Sequence, residues 1–140
     1  MTKYVLGMMV FCMVWGLTSC RNDRGWIKGE IANLEAPYLL AAYLAEDTLE
    51  VDTVHVDKKG RFSFQTRVDT LTAFSLYLND YEASTVVFAD RDQKLTVKGD
   101  AMYPDLIRVN GNEVNNELTT FKMNHEELLK ERGDLLVKIR

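Results

Sequence analysis

The chain has 140 residues with 17 Lys/Arg against 21 Asp/Glu, a net charge of −4, and 46% hydrophobic residues. That length suits one domain plus an extra element, and two prolines and eight glycines rule out a low-complexity chain. An acidic, evenly mixed surface with no basic stripe excludes nucleic acid as a partner.

Residues 1–19 read as a secretory signal. Lys3 supplies a short positive start, residues 4–16 form an uncharged, mostly apolar run, and Leu17-Thr18-Ser19-Cys20 follows. The run is shorter than the roughly 20 apolar residues a membrane span needs. An uncleaved N-terminal anchor helix is the alternative. Leu17-Thr18-Ser19-Cys20 resembles the lipobox of bacterial lipoproteins. The resemblance implies cleavage before Cys20, lipid on its sulfur and new amino group, and attachment to a membrane through those acyl chains. Cys12 falls in the discarded segment, so the mature chain keeps no free thiol for a disulfide, a Cys-x-x-Cys pair or a cysteine-based zinc site. Arg21 rather than Asp after the cysteine implies, by the same resemblance, the outer membrane of a bacterial envelope. Residues 20–25 are then the lipidated cysteine and a short tether.

Residues 26–111 alternate short apolar segments with turn clusters every eight to twelve residues, the spacing of an all-β sandwich or barrel. In 26–32, Ile27, Gly29 and Ile31 share one face. Residues 38–45 (YLLAAYLA) have helix-favouring Ala and Leu, but eight residues suit a buried strand, and the family resemblance given below favours the strand. Residues 49–65 read as a β-hairpin around a turn at 57–60. Asp57 suits the first turn position and Gly60 the positive-φ position. That register places Val56 opposite Phe62 and Val54 opposite Phe64. A bulge near Asp52-Thr53 accounts for the apolar phase shift between Val51 and Val54. Further strands are expected at 72–79, at 84–89 as a central strand, at 94–98 as an edge guarded by lysines, and at 105–109.

Residues 112–140 change period. Val114, Leu118, Phe121, Leu128, Leu135 and Ile139 follow 3–4 spacing, with His125 and Arg132 completing the series. Asn112 is the expected N-cap, and a break is expected at Gly133-Asp134. The stripe predicts an amphipathic helix docked on the sandwich; a coiled-coil seam and a linker helix are the alternatives. Apolar residues run almost to Arg140, which suggests a native chain that continues. The fold class expected is mainly β: an antiparallel β-sandwich with a C-terminal amphipathic helix.

No residue set argues a reaction. His55 and His125 are far apart in sequence, and His125-Glu126-Glu127 is not the His-Glu-x-x-His zinc pattern. The pairs Glu46-Asp47, Asp80/Glu82 and Asp90/Asp92 fall in predicted turns, where Asp makes local hydrogen bonds. Trp26, Tyr38, Tyr43 and Tyr77 suit core or rim positions. Tyr81 and Tyr103 lie in predicted loops and are the weak binding candidates. No catalytic, cofactor or metal site is expected in residues 1–140.

Several stretches together resemble the N-terminal β domain of Bacteroidetes lipoproteins, domain-of-unknown-function family 4369. They are the lipobox, Trp26-Ile27-Lys28-Gly29-Glu30-Ile31, Val51-Asp52-Thr53-Val54 with Gly60-Arg61-Phe62-Ser63-Phe64, and Lys94-Leu95-Thr96-Val97-Lys98-Gly99-Asp100. Residues 109–118 look like the family's turn into its helical segment. In that family the domain often precedes a thioredoxin-like domain, to which thiol-disulfide chemistry is attributed. This sequence holds no such cysteine pair, so nothing catalytic carries over. The resemblance implies a non-catalytic, lipid-anchored envelope domain whose partners are a membrane, through Cys20, and a possible downstream thioredoxin-like domain. A stand-alone ligand- or partner-binding outer-membrane lipoprotein is the alternative.

Overall fold

Period-two patterning turns most of the chain into strands that each bury one face. The computed structural model describes residues 25–81 and 83–139. The elements run β1 (Gly25–Ala32), β2 (Tyr38–Ala45), β3 (Thr48–His55), β4 (Arg61–Thr66), β5 (Thr72–Leu78), β6 (Ala83–Ala89), β7 (Lys94–Asp100), a 3-10 turn (Pro104–Leu106), β8 (Arg108–Asn110), α1 (Glu113–Asn124) and α2 (Glu126–Ile139). Two four-stranded sheets form, β4-β1-β7-β8 and β3-β2-β5-β6. Their facing sides make one core, in which Ile27, Ile31, Leu95 and Val97 oppose Leu39, Phe74, Leu76 and Val87. Each such side chain, fully buried, contributes about 1.5–3 kcal/mol. The expected antiparallel sandwich is present, with one parallel pair, β1 beside β7.

Residues 38–45 are a strand, as expected. Leu39 and Ala41 point into the core, and β2 is paired on both sides, by β3 and β5. Burial at alternate positions overrides helical propensity here. The two-residue connection Glu46-Asp47 has both residues in the left-handed region, at φ 48° and 64°. Two successive left-handed residues give the primed turn whose twist matches a hairpin.

The hairpin expected at 49–65 is corrected. Its turn forms as read: the Gly60 N–H donates to the Asp57 carbonyl at 3.0 Å, and Gly60 has φ +77°. Its strands do not pair. β3 lies beside β2, and β4 lies beside β1 in the other sheet, so 57–60 is a crossover between sheets. Val54 and Val56 therefore meet Phe62 across the core instead of beside it. Alternation specified which side chains point inward, and both arrangements satisfy that; the shorter 46–47 loop gives β3 to β2. The bulge at Asp52-Thr53 is absent, because the β2–β3 register runs unbroken from Tyr38↔His55 to Ala45↔Thr48. The phase shift arises because Leu49 and Val51 face outward, opposite Leu44 and Ala42.

Four other expectations are corrected. β6 is an edge strand, not central, and β7 is flanked by β1 and β8, not an edge. The segment 105–109 begins as a 3-10 turn and only then enters β8. The helical break falls at His125; Gly133 lies inside α2, buried against Tyr103.

The helical stripe is corrected too. Asn112 caps α1 as expected, its side chain accepting from the Asn115 N–H at 2.9 Å. The face turned to the sandwich carries Asn115 and Thr119, whereas Val114, Phe121, Leu128, Leu135 and Ile139 are exposed. Polar groups dock α1 because it covers two sheet edges. The Phe88 N–H donates to Asn115 Oδ1 at 3.0 Å, and the Asn115 amide donates to the Phe88 carbonyl at 2.7 Å. The Val109 N–H donates to Thr119 Oγ1 at 3.0 Å, and that hydroxyl donates back to the Val109 carbonyl at 2.7 Å. Each side chain thus replaces a missing strand on β6 or β8, which removes the unpaired edge.

Candidate functional site

α1 closes the side of the sandwich where β6 and β8 lie. The opposite side, between β3 and β4, stays open. There a cleft of about 650 Å³ lies between the sheets, lined by Trp26, Tyr43, Glu50, Asp52, Phe64 and Arg67 among others.

The cleft follows from strand parity. Glu50 and Asp52 share the inward phase of Val54 but sit toward the solvated end of β3, so two carboxylates point into the gap. Inward-pointing charge on an edge strand also blocks pairing with another chain. Aromatic rings form the base. Tyr43 and Phe74 lie 4.8 Å apart between centroids, Phe64 and Phe74 6.2 Å, and Phe62 and Phe64 6.5 Å. Lys28 Nζ stands 5.9 Å from the Trp26 ring centroid, a cation over a π face.

Tyr43 joins the two halves of the site. Its ring packs on the core and its hydroxyl donates to Asp52 Oδ2 at 3.4 Å. Burial, and then the Asp52 carboxylate, push its phenol above the ordinary value, so Tyr43 stays a neutral donor. The cleft therefore offers flat apolar rings, two acceptor carboxylates and one guanidinium. That set can hold a polar ligand with an apolar face. Among the described residues, no group of three or more His, Cys, Asp or Glu is placed to hold a metal ion.

The residues singled out from sequence fall elsewhere. Cys20, the signal and residues 21–24 lie outside the described residues, and Gly25, expected to end the tether, instead begins β1. Asp57 and Gly60 form the sheet-to-sheet crossover. Tyr81 is 61% exposed, and its ring lies 4.8 Å from that of Tyr77. Its turn is tied down by the Tyr38 hydroxyl, which donates to Asp80. Tyr103 has a structural part: its ring packs on Gly133 and its hydroxyl donates to Asp134 at 2.8 Å, which fixes α2 to the 3-10 turn. The structure places these two tyrosines in different surroundings and not in one site. His55 is exposed on β3. His125 ends α1, stacked 4.3 Å from Phe121. Glu46-Asp47 and Asp90/Asp92 occupy turns, as expected, while Glu82 lies outside the described residues.

Sequence reading missed the Tyr43–Asp52 pairing and the docking residues Asn115, Thr119 and Lys122. Lys122 Nζ donates to the Ile107 carbonyl at 2.9 Å, and burial lowers its pKa. One signal existed: these polar residues recur at 3–4 spacing, a polar stripe parallel to the apolar one.

The chain matches no curated protein and no solved structure. Residues 26–118, from the first inward strand through the docking turn of α1, match the family described as Domain of unknown function (DUF4369), and the chain belongs to that family.

Proposed function

We propose that this chain is a non-catalytic, lipid-anchored domain of the bacterial cell envelope, held at the outer membrane through Cys20. It acts as the accessory domain that positions a thioredoxin-like domain in chains that continue past the helices. The observation that carries this reading is the place of β1. It starts at Gly25, so residues 21–24 separate it from Cys20, and it is clamped between β4 and β7. Five peptide steps span at most roughly 17 Å. Lipid on Cys20 would thus hold the sandwich against the bilayer through an interior strand, which two ladders resist pulling out.

A second reading is a stand-alone ligand- or partner-binding lipoprotein. The cleft between β3 and β4 favours it, because Trp26 at the start of β1 lines that cleft and would bring it close to the anchored end.

The test is the intact mass of the product extracted from membranes of its own host. A mature chain plus acyl groups on Cys20 supports the anchor, and a mass well above that supports the accessory role. Cys20→Ser should leave the precursor unprocessed or release the protein from membranes. A normally processed, membrane-bound variant would rule the anchor out. Disulfide reductase activity in residues 1–140 would sink the non-catalytic assignment.

A further inference from the structure

Strand parity and pairing sort the chain's charges between the two sheets. The strands of β3-β2-β5-β6 contain no Lys or Arg. Those of β4-β1-β7-β8 contain Lys28, Arg61, Lys94, Lys98 and Arg108. Their neighbours Ile27, Phe62, Leu95, Val97 and Val109 are buried, so all these cations point to the outer face, where all are exposed. The register puts Lys94 beside Trp26 at the end where β1 begins, Lys28 in the next row, and Arg61, Glu30, Lys98 and Arg108 across the row after it. Glu30 is the acid inside these rows, and Asp57, Asp100 and Glu126 stand at the far rim. Among the described residues, only Arg61 of these cations is ion-paired, to Asp57. The face is thus basic on a chain of net charge −4. No stripe reads in the sequence because the cations come from four strands far apart in it.

The geometry points to this face as a docking surface for an anionic phospholipid bilayer. The inference rests on the reading above that Cys20 is lipidated, and it adds which face meets the membrane and which lipid charge that face selects. β1 belongs to this sheet, and the five peptide steps from Cys20 to Gly25, at most roughly 17 Å, keep the start of that strand at the bilayer. Three surfaces then compete for contact: this face, the end of the sandwich and the outer face of the other sheet. The end presents Glu46, Asp47, Asp90 and Asp92 in its turns, which lipid phosphates repel. The outer face of the other sheet exposes Leu44, Leu49 and Val51 and has no cation in its strands to bind a phosphate. The basic face alone complements an anionic surface. Trp26 stands at its anchored end with Lys28 Nζ 5.9 Å from the ring centroid, and indole rings settle at headgroup level. The acyl chains supply the hold, and the cations set the orientation.

The chain extracted from membranes of its own host tests this after reconstitution into phosphatidylcholine vesicles, with and without phosphatidylglycerol. A water-soluble amine-acylating reagent labels exposed lysines, and mass spectrometry reads each site. Phosphatidylglycerol should slow the labelling of Lys28, Lys94 and Lys98 about tenfold. Lys138 should not change, because α2 packs on the 3-10 turn that follows β7, at the end away from Gly25. Salt at about 1 M, where the screening length falls to about 3 Å, should remove the slowing. Lys28→Glu combined with Lys94→Glu should remove it at Lys98 with an unchanged thermal melt, since neither residue is in the core. Equal labelling with and without phosphatidylglycerol, slowing that survives salt or the double variant, or equal slowing by a short DNA duplex would each overturn the inference. Acyl groups missing from Cys20 in the same spectra would instead overturn the anchor.

Discussion

Gly60 and Ile31 meet backbone to backbone. The Ile31 N–H donates to the Gly60 carbonyl at 3.0 Å, and a Cβ on Gly60 would stand 2.1 Å from the Ile31 carbonyl oxygen. The contact seats the 57–60 crossover on β1 where β4 begins. Gly60 also has φ +77°, which costs an L-residue about 1–2 kcal/mol before any clash. Gly60→Ala should therefore destabilise the domain by about 2 kcal/mol or more. Urea unfolding checks this, and an unchanged midpoint would refute the assigned contact.

Asp57 gives this crossover a pH dependence. Its carboxylate accepts from the Arg61 and Lys59 backbone N–H groups, both at 2.9 Å, and from the Arg61 guanidinium at 3.0 Å. The Arg61 backbone hydrogen bond leads in holding its pKa below the ordinary 3.8. A carboxyl depressed by folding adds stability that is present above its unfolded value and lost as pH falls through the folded one. Asp57→Asn should lower the melting midpoint at neutral pH, and the gap to wild type should narrow below pH 3.8. The site is exposed, so the effect should be modest. A gap constant from neutral to acid pH would contradict it.

Asn115 holds the free edge of β6. Replacing it with Leu leaves the Phe88 N–H without its Asn115 acceptor and removes one donor from the Phe88 carbonyl. The expected loss is about 2–3 kcal/mol, the scale of a buried polar group stripped of its partner. Hydrogen exchange at the Phe88 amide should accelerate first. A Leu variant as stable as wild type would show that α1 docks by other means.

Gly133 tests the docking of α2. Helix propensity alone would make Gly133→Ala stabilising by about 1 kcal/mol. Its Cβ would instead stand 2.7 Å from Tyr103 Cδ1, in a ring tethered by the bond to Asp134. The sign should reverse: exchange along α2 should speed up while that of the sheets stays unchanged. Slower exchange in α2 would mean that the ring simply moves aside.

The strands were legible because alternation is a local property. Ile27 and Ile31, Phe74 and Leu76, and Leu95 and Val97 announce buried faces by spacing alone, and Asp57 with Gly60 announces a turn. The cleft was not legible. Glu50 draws no attention, Asp52 reads as part of a bulge and Tyr43 as a core or rim residue, because nothing local shows that β3 and β4 lie in different sheets with a cleft between them. β6 looked central for the same reason: an apolar strand reads alike whether its edge is covered by another strand or by Asn115.

By itself, then, the sequence determined where the chain turns, which side chains point inward, the Asn112 cap, and membership of the family. It could not decide which strand each strand lies beside, or which helix face turns inward. Period-two patterning constrains the face of a strand and leaves its edges unassigned. Pairing is settled only when loop lengths, ladder hydrogen bonds and exposed edges are satisfied together. The inward face of α1 was set by that same requirement: unpaired backbone on β6 and β8 needed donors and acceptors, so Asn115 and Thr119 turned in and Val114 and Phe121 stayed outside.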